Sequence, residues 1–517
     1  MMRQSEQEKE VFWHWIMGAG LIVMLIIRAM CPLSPELDVD TSTWISSAIS
    51  AAHSDRPVWT LLNYCDSRPL TVLPLALVEM TGIDVTWALA NFVGVVLWAG
   101  TLLFFFFVLR RWFSARLSFW FTFPLLVFQT ANNWFGFISY NSEHPSVFML
   151  MVGLWLVLKL RAPSRSAWPY AGVGIWLGLL PFAKIQIVPM GLVLAAFAAW
   201  GTLTSRQWLN LLMLILGGLL PLAVINVYYY QNDSIDSFWN DYFWNYYYYS
   251  FTNIHSEAEI GSRFGPRTIA RAFVRPVTTR VFWLVQVFLI AMGAFYGARR
   301  YRTVKAAFSL EVLLLVGAFG AVSLYAVLQA GNPFDHYLLL TFVPAALSVA
   351  FLSVYVPAGL FKKIMFISLL LISLEGMRNL ILFPYQPVPS KYSWDDELIQ
   401  IIKQNTGKED KMTIWGYADR LFVETRLPAG NRLPHSYWIY TESPLQSYRQ
   451  QQFISDLDEN KPALLVDAMV DNVSDVYLPH KEQYRHDRFP VIKAYVQKNY
   501  TLVDSLHGVW FYRRKQR

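Results

Sequence analysis

Cysteine and charge are the two scarcest features of this chain. It has two cysteines in 517 residues, and only 15% of its residues are charged. Two cysteines exclude a disulfide framework and a cysteine-rich metal cluster. An ordinary soluble domain has about 25% charged residues, so this composition is unusual for one. The net charge is +7, but the basic residues form short clusters between apolar runs, which excludes a nucleic-acid-binding patch.

Long apolar runs are abundant instead, and 55% of the residues are hydrophobic. A membrane-spanning helix needs about 20 mainly apolar residues. By that rule the sequence predicts about eleven spans, near residues 11–31, 85–109, 117–133, 145–160, 168–184, 186–203, 208–228, 281–298, 309–330, 337–357 and 364–383. The first run lacks a small-residue cleavage site and is interpreted as an uncleaved signal anchor. The sequence therefore predicts a polytopic α-helical membrane protein.

Basic residues mark every second loop between these spans. They are Arg110, Arg111, Arg116, Lys159, Arg161, Arg165, Arg206, Arg299, Arg300, Arg302, Lys305, Lys362 and Lys363. Loops rich in Lys and Arg stay in the cytoplasm. The pattern predicts a cytoplasmic (inner) membrane protein with a cytoplasmic N-terminus. The loop 32–84, the aromatic-rich segment 229–280 and the tail then face outward.

The tail from residue 390 has a different pattern. It predicts a helix over Tyr392–Asn405, strands over Met412–Trp415 and Ala463–Val466, and a hairpin of Tyr500–Leu506 with Val509–Tyr512 around His507 and Gly508. We therefore expect a transmembrane domain over 1–389 and a small extracytoplasmic α/β domain over 390–517. We expect this domain to act on the acceptor side rather than to perform chemistry.

The first outer loop holds the most suggestive group of polar residues. Asp38 and Asp40 follow the first span, an apparent one-faced helix follows them, and Asp66 and Arg68 precede Pro69. Acidic residues at the edge of a membrane are functional-site candidates. The alternative for Asp40 is that it only caps the helix that we expect over Thr41–Ala52.

This order of residues resembles the first outer loop of GT-C glycosyltransferases. The resemblance is to the family 39-like branch, which includes protein mannosyltransferases and lipid A aminoarabinose transferases. Two residues depart from the usual loop: Thr41 stands where Glu is common, and Arg68 where Lys is common. Either Asp38 or Asp40 can therefore match the family's acid, and the spacing to Arg68 favours Asp40. The resemblance implies a GT-C membrane domain that takes a sugar from a polyprenyl-phosphate carrier.

Such a transfer needs a base for the acceptor hydroxyl and cations for the leaving phosphate. The resemblance implies Asp40, Asp38 or Glu143 as the base. It implies phosphate or substrate contacts for the remaining candidates, which are Asp66, Arg68, Lys184, Gln186, His336 and Tyr337. The alternatives are structural: Lys184 reaches for the outer headgroups, and His336 forms ordinary hydrogen bonds.

Four arginines at intervals of four lie in the second half of the aromatic-rich segment, at positions 263, 267, 271 and 275. If the segment is helical they share one face, and Arg267 and Arg271 are candidates for carrier phosphate or for anionic lipid. No cofactor is expected. A divalent metal stays open because of Asp38 and Asp40, although Glu143 has no acidic neighbour. Cys31 and Cys65 either pair or are two independent buried thiols.

The sequence thus predicts a membrane glycosyltransferase with a polyprenyl-phosphate sugar donor. The acceptor is a glycan, a lipid or a protein at the outer face of the membrane. The other expected partners are membrane lipids. One rival is a lipid-linked sugar transporter or flippase, which should show broken helices in symmetric halves; the sequence shows no such repeat. The other is a non-catalytic glycolipid-binding relative, which loss of activity on substituting Asp40 would exclude.

Overall fold

The computed structural model describes residues 2–31, 36–55, 57, 60, 65–66, 68–160, 166–254, 259–304, 308–332, 334–382, 394–475 and 478–515. Of residues 2–7, 9, 277 and 301–304 only the backbone is described. Arg161, Arg165 and Lys305 of the basic loops, and the predicted helix start at Tyr392, lie outside the described residues.

The helices are numbered along the chain. They are α1 (Met2–Met30), α2 (Val39–His53), α3 (Pro69–Glu79), α4 (Trp87–Leu109), α5 (Ala115–Ala131), α6 (Phe135–Ile138), α7 (Glu143–Lys159), α8 (Trp168–Ala183), α9 (Val188–Thr204), α10 (Trp208–Gln231) and α11 (Ile235–Phe238). Then follow α12 (Asn245–Phe251), α13 (Pro266–Val274), α14 (Arg280–Val304), α15 (Leu310–Leu328), α16 (Leu339–Leu352), α17 (Ala358–Leu382), α18 (Asp395–Asn405), α19 (Arg420–Thr425), α20 (Tyr437–Tyr440), α21 (Gln446–Asn460) and α22 (Pro490–Asn499). The strands are β1 (Met412–Trp415), β2 (Leu464–Asp467), β3 (Tyr500–Leu506) and β4 (Val509–Arg514).

The chain divides into two compact units. The membrane unit consists of Met1–Pro32, Phe92–Ile225 and Ser256–Gln386. The loop–tail unit consists of Leu33–Asn91, Asn226–His255 and Pro387–Arg517. Each unit is therefore built from three separate stretches of sequence.

Each of the eleven predicted spans coincides with a helix. Eight helical stretches of the described chain are long and apolar enough to cross a membrane. The other three, α5, α7 and α8, are 16 or 17 residues long. The prediction of a polytopic α-helical membrane protein is confirmed. The boundary between the fifth and sixth apolar runs falls at Lys184, where α8 ends in an extended residue.

Small residues bring α8 and α10 together in the membrane unit. A Cβ at Gly174 or Gly178 would overlap backbone atoms of α10, and one at Gly217 would overlap the carbonyl of Ala171. Glycines at such a contact let two helix backbones approach closely, which drives helix association in lipid.

The loop–tail unit contains one four-stranded sheet with the strand order β1-β2-β4-β3. β1 and β2 are parallel, while β4 is antiparallel to both of its neighbours. The predicted hairpin is confirmed, and its turn residues His507 and Gly508 have φ of 49° and 83°. Positive φ at both positions is the signature of a type I′ turn. The predicted second strand is shifted by one residue, to Leu464–Asp467.

The core of this unit is not made by the tail alone. One cluster packs Trp415, Phe453 and Leu465 of the tail with Cys65 of the first loop, and Tyr249 lies against it. Arg449 is fully buried, and its guanidinium lies 3.1 Å from Asp241 Oδ1 and donates to Asn245 Oδ1 at 2.7 Å. The aromatic segment is thereby fixed to α21 by a hydrogen-bonded ion pair. Cys31 and Cys65 do not form a disulfide, and both thiols are buried, as the second of the two alternatives predicted.

Candidate functional site

The first group of candidate residues surrounds the start of α2. This helix begins at Val39, and Asp38 is its N-cap because Asp38 Oδ1 accepts a hydrogen bond from the Asp40 backbone N–H at 3.1 Å. Asp40 lies in the first turn. The idea that Asp40 caps the helix is therefore wrong: the helix starts two residues earlier than its apolar pattern indicates, so Asp38 has that role.

The prediction of a one-faced helix is also wrong. Residues 41–50 of α2 are all buried. Polar side chains on the remaining faces find partners within the unit, which makes their burial tolerable. Ser42 Oγ accepts from Trp87 Nε1 at 2.8 Å, and Ser50 Oγ accepts from the Ala429 backbone N–H at 3.0 Å.

Asp40 contacts the tail directly. The Tyr417 hydroxyl donates to Asp40 Oδ1 at 2.9 Å. One turn further along α2, the Thr43 hydroxyl donates to Asp419 Oδ2 at 2.7 Å and lies 3.4 Å from the Tyr417 oxygen. Asp40 is half-buried, whereas Thr43 and Asp419 are buried. The arrangement fixes the orientation of a carboxylate that remains partly accessible.

Asp66 is held by the tail as well. Its Oδ2 accepts from Trp438 Nε1 at 2.7 Å and lies 3.1 Å from His435 Nε2. Burial raises the pKa of Asp66, but the His435 hydrogen bond and nearby positive charge outweigh burial and lower that pKa to about 2. Arg68 donates from Nη1 to the Asp66 carbonyl at 2.8 Å, and its guanidinium carbon lies 5.9 Å from the centre of the Tyr242 ring.

Three carboxylates and one imidazole thus share a small volume. Burial raises the pKa of Asp419 to about 6. Burial also lowers the pKa of His435, but the charge of Asp419 and the bond to Asp66 outweigh it and raise that pKa. Burial raises the pKa of Tyr417 well above its ordinary value, so its phenol keeps its proton and acts as a donor. Within the described residues, no group of three or more His, Cys, Asp or Glu side chains is arranged to hold a metal ion.

The second group of candidates lies in the membrane unit. Glu143 begins α7 and is fully buried, and its carboxylate forms an ion pair with Lys184. Lys184 Nζ also donates to Ser142 Oγ at 2.9 Å and lies 4.6 Å from the centre of the Tyr337 ring. The Lys184 side chain is only 8% exposed, so it does not reach out to headgroups. The structure brings Glu143, Lys184 and Tyr337 together.

His336 and Gln186 are buried in the same unit. His336 belongs to the short helical turn Asp335–Leu338 before α16, and its ring lies parallel to that of Phe334 at 5.7 Å. Gln186 donates from Nε2 to the Ala326 carbonyl. Its side chain is therefore used to join the turn after α8 to α15.

The four arginines differ in burial and do not all lie on one helix. Arg263 is buried and donates to the Gln329 carbonyl at 2.6 Å, and Arg275 Nε lies 3.8 Å from Asp335 Oδ1. Arg267 and Arg271 lie four residues apart on α13 and are exposed. The helix is shorter than the spacing indicated, because Arg263 precedes it and Arg275 ends it.

The sequence prediction missed the residues of the tail that contact the first loop. Among them, Tyr417, Asp419, His435 and Trp438 contact the candidate residues of that loop or their immediate neighbours. One signal was available: Tyr417 and Asp419 lie two and four residues after the predicted strand Met412–Trp415, which the structure shows to be parallel to β2. Ligand-binding residues of parallel sheets lie beyond the carboxyl ends of the strands.

The fold has known relatives although the sequence has none that we detect. No protein-family model and no curated protein sequence matches the chain. ArnT from Cupriavidus metallidurans bound to undecaprenyl phosphate aligns with a TM-score of 0.56 and 13% identity over 97% of each chain. The apo form of ArnT gives a TM-score of 0.56 and 14% identity over 97% of this chain and 98% of that one.

An Archaeoglobus fulgidus oligosaccharyltransferase in complex with zinc and sulfate aligns with a TM-score of 0.47 and 13% identity, over 96% of this chain and 73% of that one. That similarity is too low to carry an argument. The ArnT alignments show that this chain has the GT-C fold, with a small sheet near its C-terminus. The fold implied by the sequence resemblance is confirmed.

Proposed function

We propose that this chain is a membrane glycosyltransferase that transfers one sugar from a polyprenyl-phosphate donor to an acceptor at the outer face of the cytoplasmic membrane. The observation that carries the proposal is the setting of Asp40, a half-buried carboxylate in the first turn of α2 whose orientation is fixed by the Tyr417 hydroxyl. A general base must be accessible to the proton that it removes and must be held in place. Asp40 is both partly accessible and held in place, and it belongs to a chain whose fold is similar to that of ArnT.

The proposed reaction needs one proton transfer and one displacement. The acceptor oxygen forms a bond to the anomeric carbon, and the bond from that carbon to the phosphate oxygen breaks. The acceptor proton passes to Asp40, and the polyprenyl phosphate leaves as an anion. Asp38 and Glu143 are weaker candidates for the base, because Asp38 caps α2 and the Glu143 carboxylate is fully buried.

Cations are needed where the phosphate leaves, since charge develops there in the transition state. We propose Lys184 for this role, with Arg68 and the exposed Arg267 and Arg271 as further phosphate contacts. Asp66, Gln186, His336 and Tyr337 are proposed to shape the substrate sites. ArnT has been crystallised with undecaprenyl phosphate, which supports a polyprenyl-phosphate partner for this chain.

We propose a cytoplasmic N-terminus and an outward loop–tail unit, with the tail domain beginning near residue 390. The alternation of basic loops supports this orientation. Alkaline phosphatase fused after residue 517 should be active, and the same enzyme inserted in the loop after α14 should be inactive. The opposite pattern would reverse the proposed topology.

The function is tested with purified full-length chain, labelled hexoses and pentoses linked to undecaprenyl phosphate, and an envelope extract of the host as acceptor. Wild type should release undecaprenyl phosphate and label the extract with one of these sugars. Asp40→Asn should be slower by about 10²–10⁴-fold, the usual contribution of a general base.

Asp38→Asn is the matched control because Asn caps a helix about as well as Asp. It should keep wild-type rates. An active Asp40→Asn with an inactive Asp38→Asn would move the base to Asp38. A chain that only carries the lipid-linked sugar across the membrane would release no undecaprenyl phosphate.

A further inference from the structure

We propose that Tyr417 of the tail is a positioning residue for Asp40, so that the tail completes the transfer site instead of only serving the acceptor. This inference rests on the proposed function, since it takes Asp40 as the base. The observation behind it is the 2.9 Å hydrogen bond from the Tyr417 hydroxyl to Asp40 Oδ1. No sequence motif of the tail predicts a role in chemistry.

The phenol of Tyr417 is fixed by its own surroundings. Its backbone N–H donates to Ser474 Oγ at 3.1 Å, and its carbonyl accepts from the Asp475 N–H at 2.7 Å. Its ring stacks on the ring of His435 at 4.1 Å. A side chain whose backbone and ring are both restrained can hold a partner carboxylate in one orientation, which is what a base must have before substrate arrives.

A second contact fastens the same helix turn to the same loop. Thr43, three residues after Asp40, donates to Asp419 Oδ2 at 2.7 Å. Asp419 is only two residues from Tyr417, so α2 and the loop after β1 are joined at two points one helical turn apart. This pairing prevents α2 from rotating about its axis relative to the Tyr417 hydroxyl.

The contact should also affect the pH dependence of the reaction. The titratable groups facing Tyr417 are Asp40 on α2, Asp66 of the first loop, and Asp419 and His435 of the tail. A hydrogen bond donated to a carboxylate favours its ionised form. Loss of the Tyr417 hydroxyl should therefore move the acid limb of the rate profile to higher pH, an effect that a purely structural tyrosine would not have.

The test is Tyr417→Phe in the full-length chain, assayed with the undecaprenyl-phosphate sugar that wild type transfers. Phe keeps the stacking on His435 and removes only the hydroxyl. We expect kcat to fall about 10-fold or more, as for loss of a hydrogen bond to a charged group. KM for the donor should change little, and the acid limb should move to higher pH. The variant should melt near wild type.

Tyr448→Phe is the matched control, because Tyr448 is a tail tyrosine that bonds Ser237 Oγ at 3.3 Å and accepts from Gln452 Nε2 at 3.0 Å. It should leave kcat and the pH profile unchanged. If Tyr417→Phe does not fold, Thr43→Val replaces it and should lower kcat severalfold.

Three outcomes separate the two proposals. Normal kcat and an unchanged pH profile in Tyr417→Phe, with Asp40→Asn inactive, would overturn the role of Tyr417 alone. A fully active Asp40→Asn would overturn the assigned base and the role of Tyr417 with it. Equal losses in Tyr417→Phe and Tyr448→Phe would show that the tyrosines act only through the stability of the tail, and would also contradict this inference.

Discussion

Lys184 and Glu143 neutralise each other inside the membrane unit, and both side chains are less than one-tenth exposed. Removing one partner of a buried ion pair leaves an uncompensated charge, which destabilises by about 3–5 kcal/mol. Lys184→Met and Glu143→Gln should each lower the unfolding temperature of the full-length chain in detergent. The double variant should recover most of the loss, because no charge remains buried.

The same variants separate stability from chemistry. If Lys184 holds the leaving phosphate, the double variant should fold well and still transfer sugar slowly, since the cation is absent. Additive losses of stability in the double variant would show that the pair is not coupled. Normal turnover in the double variant would remove Lys184 from the proposed mechanism.

Asp40, Glu143 and Lys184 could be named as candidates from the sequence because each belongs to a short local pattern next to a predicted span. Tyr417 was not. It lies 377 residues from Asp40 along the chain, and no local periodicity encodes a contact over that distance. The capping role of Asp38 was missed for another reason: helix ends are set by side-chain hydrogen bonds that the apolar pattern does not contain.

The contact between α2 and the loop after β1 should make stability depend on pH through Asp419. The folded-state pKa of this carboxyl is raised to about 6 from 3.8, so the folded state binds the proton more tightly than the unfolded state. Stability from this group is complete below about pH 4 and falls as pH rises to about 6. Asp419→Asn should remove that fall and exceed wild type in unfolding temperature above pH 6.

Two neighbours do not produce the same effect in this window. The pKa of Asp66 is lowered to about 2, so its contribution is present above pH 3.8 and is lost only in stronger acid. The pKa of His435 is raised, so its contribution is complete below pH 6.5 and is lost at higher pH. Unfolding temperatures of wild type and Asp419→Asn at pH 4, 6 and 7.5 check the prediction. Parallel curves would contradict it.

The contact between α8 and α10 gives a prediction with a control in the same helix. A Cβ at Gly178 would overlap the Gly218 backbone, whereas one at Gly172 meets nothing within 4 Å. Gly178→Ala should force the helices apart and lower the unfolding temperature. Gly172→Ala should be neutral or stabilising by up to about 1 kcal/mol, because Ala is the better helix former. Equal effects at the two positions would disprove the close contact.

Elements marked by a clear hydrophobic pattern were predicted well. Elements whose polar side chains form hydrogen bonds inside the fold were not. β1 is a short apolar run, and the two hairpin strands flank the turn residues His507 and Gly508, so the positions of these strands follow from the sequence. The burial of α2 on all faces was not predicted, because Ser and Thr are residue types that usually face solvent. Their hydroxyls instead find partners such as Asp419 and Trp87 within the fold.

At the scale of the whole molecule, hydropathy was enough to predict eleven helices and the GT-C resemblance gave their fold. The division into two units was not predictable in the same way. The loop–tail unit joins three stretches of sequence that are separated by membrane helices. Its buried core contains residues of both the first loop and the tail, and the aromatic segment packs against that core. Such a core depends on tertiary packing, which composition and periodicity do not specify.

The account is tested most directly by the envelope glycans of the host. In a strain that lacks this chain, mass spectrometry should show one envelope component that has lost a single sugar. Expression of the wild-type chain should restore that sugar, and Asp40→Asn, present at the same level in the membrane, should not. Full restoration by Asp40→Asn, or an unchanged set of glycans in the deletion strain, would contradict the proposal that this chain is a glycosyltransferase with Asp40 as its base.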